Sequence, residues 1–106
     1  MVCRHKYRYI HITCLYLLLF YVGFRVIAMS ILPISSSTIV YGSSDAGKHI
    51  YNRNEDLAMC MQRAAAILNL RAHVVGSGGQ KQLLCSAVDV EGHRGKDGRL
   101  YLVDFR

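Results

Sequence analysis

The segment with the clearest chemical pattern runs from Gly42 to His49, GSSDAGKH, and matches the phosphate-loop motif G-x-x-x-x-G-K-[S/T] up to its last position. In a phosphate loop, backbone N–H groups and the lysine bind nucleotide phosphates, and the final hydroxyl ligates Mg²⁺. Here His49 replaces the hydroxyl residue, and the residues after Lys48 favour strand or coil over the required helix. We expect a turn between two short strands in which Asp45 bonds to nearby N–H groups. A nucleotide site from Gly42 to Lys48 is the alternative.

Cysteine and histidine side chains show no metal-site spacing. The four cysteines lie far apart, at Cys3, Cys14, Cys60 and Cys85, and the five histidines form no H-E-x-x-H pattern. Cys60 and Cys85 fall in apolar segments, where free buried thiols are common. We therefore expect no metal site.

The positive charge is concentrated at the front of the chain. The formal net charge is +6, but no acidic residue precedes residue 26, and the remainder carries nine basic and seven acidic side chains. A net charge of +2 on the body does not by itself indicate a nucleic-acid surface.

An apolar run, YIHITCLYLLLFYVGF, occupies residues 9–24 behind three basic residues, as in a signal peptide or membrane anchor. It is shorter than the ~20 residues that cross a bilayer, and a longer span reaching residue 32 would place Arg25 in the hydrocarbon. Two interpretations stay open. Residues 1–32 direct the protein to a membrane or the secretory pathway, or residues 1–20 are non-coding sequence translated from an imperfect gene structure.

The body alternates strand and helix signals. Phe24 to Leu32 is typical of a strand buried on both faces, and Thr38 to Tyr41 of a second strand. Residues 52–70 predict an amphipathic helix, with Asn52 or Asn54 as N-cap and Asn69 as its stop. The predicted apolar face of this helix comprises Leu57, Cys60, Met61, Ala64, Ala65, Ile67 and Leu68.

The last third of the chain predicts further strands. His73 to Val75 is a short strand, followed by a flexible loop over residues 76–80. Residues 83–90 and 99–105 predict an antiparallel hairpin whose tight turn is Asp97-Gly98. The expected fold class is α+β, a mostly antiparallel sheet covered by one amphipathic helix, as a fragment of a larger domain.

Four separated segments carry a family resemblance: YVGFRVIAMSILP, IVYGSSDAGKHI, AAAILNLRAH and DVEGHRGKDGRLYLVDFR. In order and spacing they resemble the central domain of the clustered mitochondria (Clu) family, over roughly Tyr21 to Arg106. The resemblance divides the chain into residues 1–20, an apolar basic leader outside the match, and residues 21–106, a partial Clu domain.

The resemblance implies a non-enzymatic interaction module. Family members are large cytoplasmic proteins that control the distribution of mitochondria, and they are similar to binders of messenger RNAs for mitochondrial proteins that associate with translation machinery. It implies no catalytic residue, no cofactor and no small-molecule substrate, and a membrane partner only if the leader is genuine. The motif positions that would shape a common binding surface are Tyr41, Gly42, Ser43, Asp45, Gly47, Gly92, His93, Gly95, Asp97, Gly98, Arg99, Tyr101 and Asp104. The alternative is that most of these residues hold the turns and the hairpin.

Charged side chains near these motifs allow two interpretations. Arg71, Lys81, Arg94, Lys96 and Arg99 are candidate RNA contacts, with solvated surface charge as the alternative. Asp104 interrupts an apolar strand, and we predict that it forms an ion pair with Arg99, Arg106 or Arg25.

Overall fold

The computed structural model describes residues 10–11 and 16–104. This part of the chain forms antiparallel sheets and one α-helix, which confirms the α+β prediction. The elements are β1 (Ile10–His11), β2 (Tyr16–Tyr21), β3 (Phe24–Met29), a 3-10 turn (Ser36–Thr38), β4 (Ile39–Gly42), β5 (Tyr51–Asn52), α1 (Glu55–Ile67), β6 (His73–Val75), β7 (Gln82–Leu84), β8 (Glu91–Arg94) and β9 (Leu100–Val103).

The main sheet has five strands in the order β1-β9-β8-β4-β5. Its centre is antiparallel: β8 pairs with β9, placing His93 opposite Tyr101, and with β4, placing Gly92 opposite Tyr41. Among the described strands, β1 alone joins it in parallel, along β9. The pairs β2–β3 and β6–β7 form two separate two-stranded sheets.

The helix begins and ends at capping residues. Asn54 is the N-cap, and its side chain accepts a hydrogen bond from the Leu57 N–H at 2.8 Å, so the second of the two predicted caps is the one used. Asn52 lies instead in β5. The helix stops at Ile67, and Asn69 has a φ of 56°, the left-handed conformation that commonly ends helices, as predicted.

The core lies between the helix and the main sheet. Leu57, Cys60 and Met61 of the helix pack with buried residues of the strands and loops, namely Tyr41, Ile50, Leu84, Val90, Leu100 and Leu102. The predicted apolar face is correct for the first three turns and wrong at its end, where Ile67 is 83% and Leu68 53% exposed. Spacing along the sequence predicts that a side chain lies on the apolar face of a helix, but not that another element covers it there.

The position of the hairpin strand differs from the prediction. Residues 91–94, expected as part of the loop, form β8. Of the strand expected at residues 83–90, only Leu83 and Leu84 are extended, at the end of β7. The chain between them turns through residues 85–90. Gly92 and His93 have low strand propensity, but the helix packs directly on Gly92, and this tertiary contact overrides propensity. The predicted turn at Asp97-Gly98 is confirmed.

β3 pairs with β2 and is exposed. Every residue of both strands is exposed, so the prediction that residues 24–32 form a strand buried on both faces is wrong for burial and correct for the strand over Phe24–Met29. Between residues 16 and 104, no helix has the length and apolar character needed to span a membrane.

Candidate functional site

The first motif turn, residues 43–49, is held together by its own side chains. The buried Ser43 Oγ accepts hydrogen bonds from the N–H of Gly47 at 2.9 Å and of Asp45 at 3.3 Å, and donates to Asp45 Oδ1 at 2.8 Å. The same carboxylate accepts from the His49 N–H at 2.9 Å, and its Oδ2 contacts His49 Nδ1. These hydrogen bonds hold the pKa of Asp45 well below its ordinary value, the backbone bond from His49 contributing most.

This turn does not have the geometry of a phosphate loop. The N–H groups of Asp45, Gly47 and His49 already donate to oxygens of Ser43 and Asp45, so they are not available to an anion. The helix begins only at Glu55, after β5. The predicted turn between two strands is therefore confirmed, since β4 ends at Gly42 and pairs with β5.

Tyr41 and Gly42 join the sheet to the segment that precedes β8. The Tyr41 hydroxyl accepts a hydrogen bond from the Cys85 N–H at 3.1 Å. Gly42 has a φ of +80°, and a Cβ there would lie 1.7 Å from the Val90 carbonyl oxygen. Only glycine meets both conditions, so this motif position has a structural explanation.

The second motif turn, residues 95–99, is organised by Asp97. Its carboxylate accepts from the Tyr101 hydroxyl at 2.6 Å and from the Arg99 N–H at 3.1 Å. The bond from Tyr101 lowers the pKa of Asp97 and raises the pKa of Tyr101. A Cβ at Gly95 would lie 2.6 Å from Asp97 Oδ1, and the Lys96 N–H donates to the Pro33 carbonyl. Hydrogen bonds therefore hold the turn in its own conformation and also attach it to the segment that precedes β4.

His93 is buried between the strands and the 3-10 turn. Its Nδ1 lies 3.0 Å from Thr38 Oγ1, and its Nε2 lies 3.0 Å from Glu91 Oε2. Sequence reasoning chose His93 but missed both partners. Glu91 and His93 are two residues apart on a strand and so lie on one face, and this spacing could have predicted the contact between them.

The motif positions form two groups at opposite ends of the main sheet. The turn at residues 43–49 follows the end of β4, whereas the turn at residues 95–99 follows the end of β8, and β8 runs antiparallel to β4. Tyr41 and His93 lie between them. The structure therefore does not bring the predicted residues into a single cleft.

Two further expectations concern charge and thiols. Asp104 is exposed with a φ of 54°, and within residues 16–104 no ion pair joins it to Arg25 or Arg99, so the prediction is wrong for these two partners, while Arg106 lies outside the described residues. Cys60 is buried and Cys85 half-buried, and neither forms a disulfide within the described residues. The described part of the chain contains no group of three His, Cys, Asp or Glu residues arranged to hold a metal ion.

The family model described as "Clustered mitochondria" matches residues 3–106. The chain belongs to the clustered mitochondria family. It is 32% identical over 90 residues to the human "Clustered mitochondria protein homolog", 34% over 91 residues to the homolog of Culex quinquefasciatus, and 33% over 90 residues to "Protein clueless" of Drosophila willistoni. Each match covers 80% of this chain.

The matched region is a small part of each clustered mitochondria relative. The chain spans 7% of the length of the human protein and 6% of the two insect proteins. No solved structure matches the chain significantly. The division at residue 20 stays a prediction.

Proposed function

We propose that this chain is a non-enzymatic interaction module of a clustered-mitochondria-type protein that binds messenger RNAs of mitochondrial proteins in the cytoplasm and acts in the distribution of mitochondria. The observation that carries the proposal is the family match over residues 3–106. The internal hydrogen bonds of the residue 43–49 turn agree with it, because they leave that turn unsuited to nucleotide phosphates.

The turn at residues 95–99 is the best candidate for the RNA contacts. Arg94, Lys96 and Arg99 are all exposed and follow one another around this turn. The carboxylate of Asp97 lies among them: it accepts hydrogen bonds from the Tyr101 hydroxyl and the Arg99 backbone N–H, and it lies 3.8 Å from Arg99 Nε. The turn therefore carries three cationic side chains against one carboxylate. Arg71 and Lys81 are also exposed, beside β6 and β7, and would supply secondary contacts.

A fixed turn favours phosphate binding over a mobile one. The Gly95 N–H donates to the Arg99 carbonyl at 2.8 Å, and the Lys96 N–H donates to the Pro33 carbonyl at 2.9 Å. The backbone that carries the three cations is therefore already ordered, which lowers the entropy cost of binding. Phosphate contacts of this kind give affinity and position without reading the base sequence.

The test is the salt dependence of RNA binding by the full chain. Fluorescence anisotropy with a labelled single-stranded RNA from a mitochondrial-protein messenger would be measured over a range of salt. Each lost phosphate contact reduces the slope of log affinity against log salt by about 0.7 for a single strand. The variant Arg94→Ala/Lys96→Ala/Arg99→Ala is expected to lose about 2 from this slope.

A charge-matched variant distinguishes RNA binding at the residue 95–99 turn from non-specific electrostatic attraction of RNA to the whole chain. Lys48→Ala/Arg53→Ala/Arg63→Ala removes the same number of cations elsewhere and is expected to keep most of the slope. Equal losses in the two variants would show that net charge alone attracts RNA. Absence of binding by the unmodified chain would refute the RNA part of the proposal.

The cytoplasmic part has its own test. A tagged copy is expected in the soluble fraction after cell lysis and carbonate extraction. Recovery in the carbonate-resistant membrane pellet would support the leader-directed alternative instead.

A further inference from the structure

The hydroxyl group of Thr38 contacts three polar groups but has a single proton to donate. Its Oγ1 accepts a hydrogen bond from the Ser35 N–H at 2.9 Å, lies 2.8 Å from the Ser35 carbonyl oxygen and lies 3.0 Å from His93 Nδ1. The Ser35 carbonyl can only accept a hydrogen bond, whereas a histidine nitrogen donates or accepts according to its protonation. The protonation of His93 therefore decides how the Thr38 proton is used.

The other ring nitrogen of His93 faces an acceptor. His93 Nε2 lies 3.0 Å from Oε2 of Glu91, and an ionised carboxylate only accepts hydrogen bonds. Nε2 therefore carries a proton when Glu91 is ionised. Nδ1 is the ring nitrogen whose proton can be lost without breaking the contact with Glu91.

The charged form of His93 satisfies all of these contacts together. In the imidazolium, Nδ1–H donates to Thr38 Oγ1, and the Thr38 hydroxyl donates to the Ser35 carbonyl oxygen. When Nδ1 releases its proton to solvent, the one hydroxyl proton of Thr38 can be given either to Nδ1 or to the Ser35 carbonyl. The neutral form therefore has one hydrogen bond fewer than the charged form.

Burial makes the loss of this hydrogen bond costly. The side chains of His93 and Glu91 are 4% and 19% exposed, so water does not readily replace a missing partner at Nδ1. A buried charge is tolerated when it is paired and hydrogen-bonded. The imidazolium of His93 meets both conditions, with a carboxylate at one nitrogen and a hydroxyl group at the other.

Two titratable side chains of the described strands face His93, and one of them is charged. Glu91 is on the same strand, and Tyr101 of β9 lies opposite His93. The Tyr101 hydroxyl donates to Asp97, and this bond raises the pKa of Tyr101 above its ordinary value. The phenol therefore stays neutral in the pH range where histidine side chains change charge.

The other elements packed on β8 do not bring a charge to this face. On β4 the residue opposite His93 is the apolar Ile39. The helix packs on Gly92, and successive residues of a strand face opposite sides of a sheet. The charged residues of the helix therefore lie across the sheet from His93.

The contact between His93 and Thr38 attaches the 3-10 turn to the main sheet. Thr38 is the last residue of that turn, and a second attachment lies nearby, where the Lys96 N–H donates to the Pro33 carbonyl at 2.9 Å. Residues 33–38 are thus joined to the β8–β9 hairpin at two points. The group formed by Ser35, Thr38, Glu91 and His93 is termed here the His93 clasp.

We propose that the His93 clasp is a proton-sensitive attachment of residues 33–38 to the main sheet. It holds this segment with its full set of hydrogen bonds when His93 is charged, and it loses one of them when Nδ1 releases its proton. Acidification therefore tightens the segment and alkalinisation loosens it. The proposal does not depend on RNA binding, because neither of its measurements uses RNA.

Nitrogen NMR of the histidine rings in the full chain tests the protonation step. The ring signals would be followed from about pH 5 to 8, with those of His93 identified by their absence in His93→Gln. Nε2 is expected to keep its proton throughout, and Nδ1 to lose its proton as the pH rises. A neutral ring with the proton on Nδ1, or a ring that does not change charge in this range, would overturn the proposal.

Amide hydrogen exchange tests the attachment itself. The N–H groups of Thr38 and Lys96 donate to the carbonyls of Ser35 and Pro33, so their protection reports whether the segment is held. After correction for intrinsic exchange rates, this protection is expected to be about 2- to 10-fold greater when His93 is charged, the effect of one hydrogen bond. The Leu70 N–H, bonded to the Ala65 carbonyl, is the internal control and is expected to be unaffected.

A pair of variants at Thr38 separates the hydroxyl group from the rest of the side chain. Thr38→Val keeps the shape and removes the hydroxyl, so the protection of the Lys96 N–H is expected to become independent of pH in this range. Thr38→Ser keeps the hydroxyl and is expected to retain the pH dependence. The same pH dependence in both variants, or protection that falls on acidification of the unmodified chain, would contradict the proposal.

Discussion

Replacing Gly92 by alanine tests how closely the helix lies on the main sheet. Gly92 is in β8 and faces the helix, and a Cβ at this position would lie 2.4 Å from Leu57 Cδ2 and 2.8 Å from Tyr41 Cβ. Leu57 is fully buried and Tyr41 is 2% exposed, so neither has open space into which it can move. The Tyr41 Cβ is fixed to the backbone of β4, so relief of the contact with it requires a shift of the backbone.

The expected loss of stability follows from two opposing effects. Adding a methyl group to a well-packed core costs about 1–3 kcal/mol. Replacing glycine by alanine also restricts the unfolded chain, which returns about 0.4–1 kcal/mol. We expect Gly92→Ala to lower the free energy of unfolding by about 1–2 kcal/mol, and the melting temperature by ~4–8 °C for each kcal/mol in a domain of this size.

The assay is urea unfolding followed by circular dichroism, with thermal melting in parallel. Gly79→Ala is the matched control, because no atom lies within 4 Å of a Cβ at that position and its φ is not in the left-handed region. This control is expected to be neutral or slightly stabilising, since it gains the unfolded-state effect without the clash.

A double variant shows whether the clash with Leu57 is the cause. Leu57→Ala alone is expected to cost about 2–5 kcal/mol. In Gly92→Ala/Leu57→Ala the new methyl group fills part of the vacated space, so the combined loss is expected to fall at least ~0.5 kcal/mol short of the sum. Strict additivity, or a Gly92→Ala protein as stable as Gly79→Ala, would refute the reasoning.

Three smaller perturbations test the turns. Because the folded pKa of Asp45 lies below 3.8, its stabilisation is present above pH 3.8 and is lost as the pH falls below that value. Asp45→Asn should flatten this pH dependence in urea unfolding, and an unchanged profile would contradict it. Because the pKa of Tyr101 lies above 10.0, its stabilisation is present below pH 10.0 and is lost as the pH rises. Asp97→Asn should move the Tyr101 titration, followed by tyrosine ring ¹³C NMR, back toward 10.0. Val22 has a φ of 47°, unfavourable for a β-branched residue, so Val22→Asn should stabilise the β2–β3 hairpin by about 1 kcal/mol. Hydrogen exchange there should slow about fivefold, and faster exchange would argue against strain.

Local signals in the sequence were sufficient for several elements. The Asp97-Gly98 turn, the N-cap at Asn54 and the helix stop at Asn69 each depend on one or two residues whose backbone preferences are strong. The choice of a turn over a phosphate loop at residues 42–48 also followed from a local fact, the absence of a helix signal after Lys48.

Features that depend on tertiary contacts were not predictable. β8 contains Gly92 and His93, and its strand conformation depends on the helix above Gly92 and on the bonds of His93 to Thr38 and Glu91. The exposure of the β2–β3 hairpin was not predicted, because it depends on the absence of such contacts. A continuous apolar sequence predicts burial, and only the positions of the other elements show that nothing described covers it.

The separation of the two motif turns limits which partners can touch both. They lie at opposite ends of β4 and β8, and a strand of four residues is about 13 Å long. A nucleotide or metabolite bound at one turn would leave the other in water. A partner that contacts both turns at once must therefore be elongated, such as several consecutive nucleotides of a single strand or a broad protein surface. A short oligonucleotide would contact only one of the two turns.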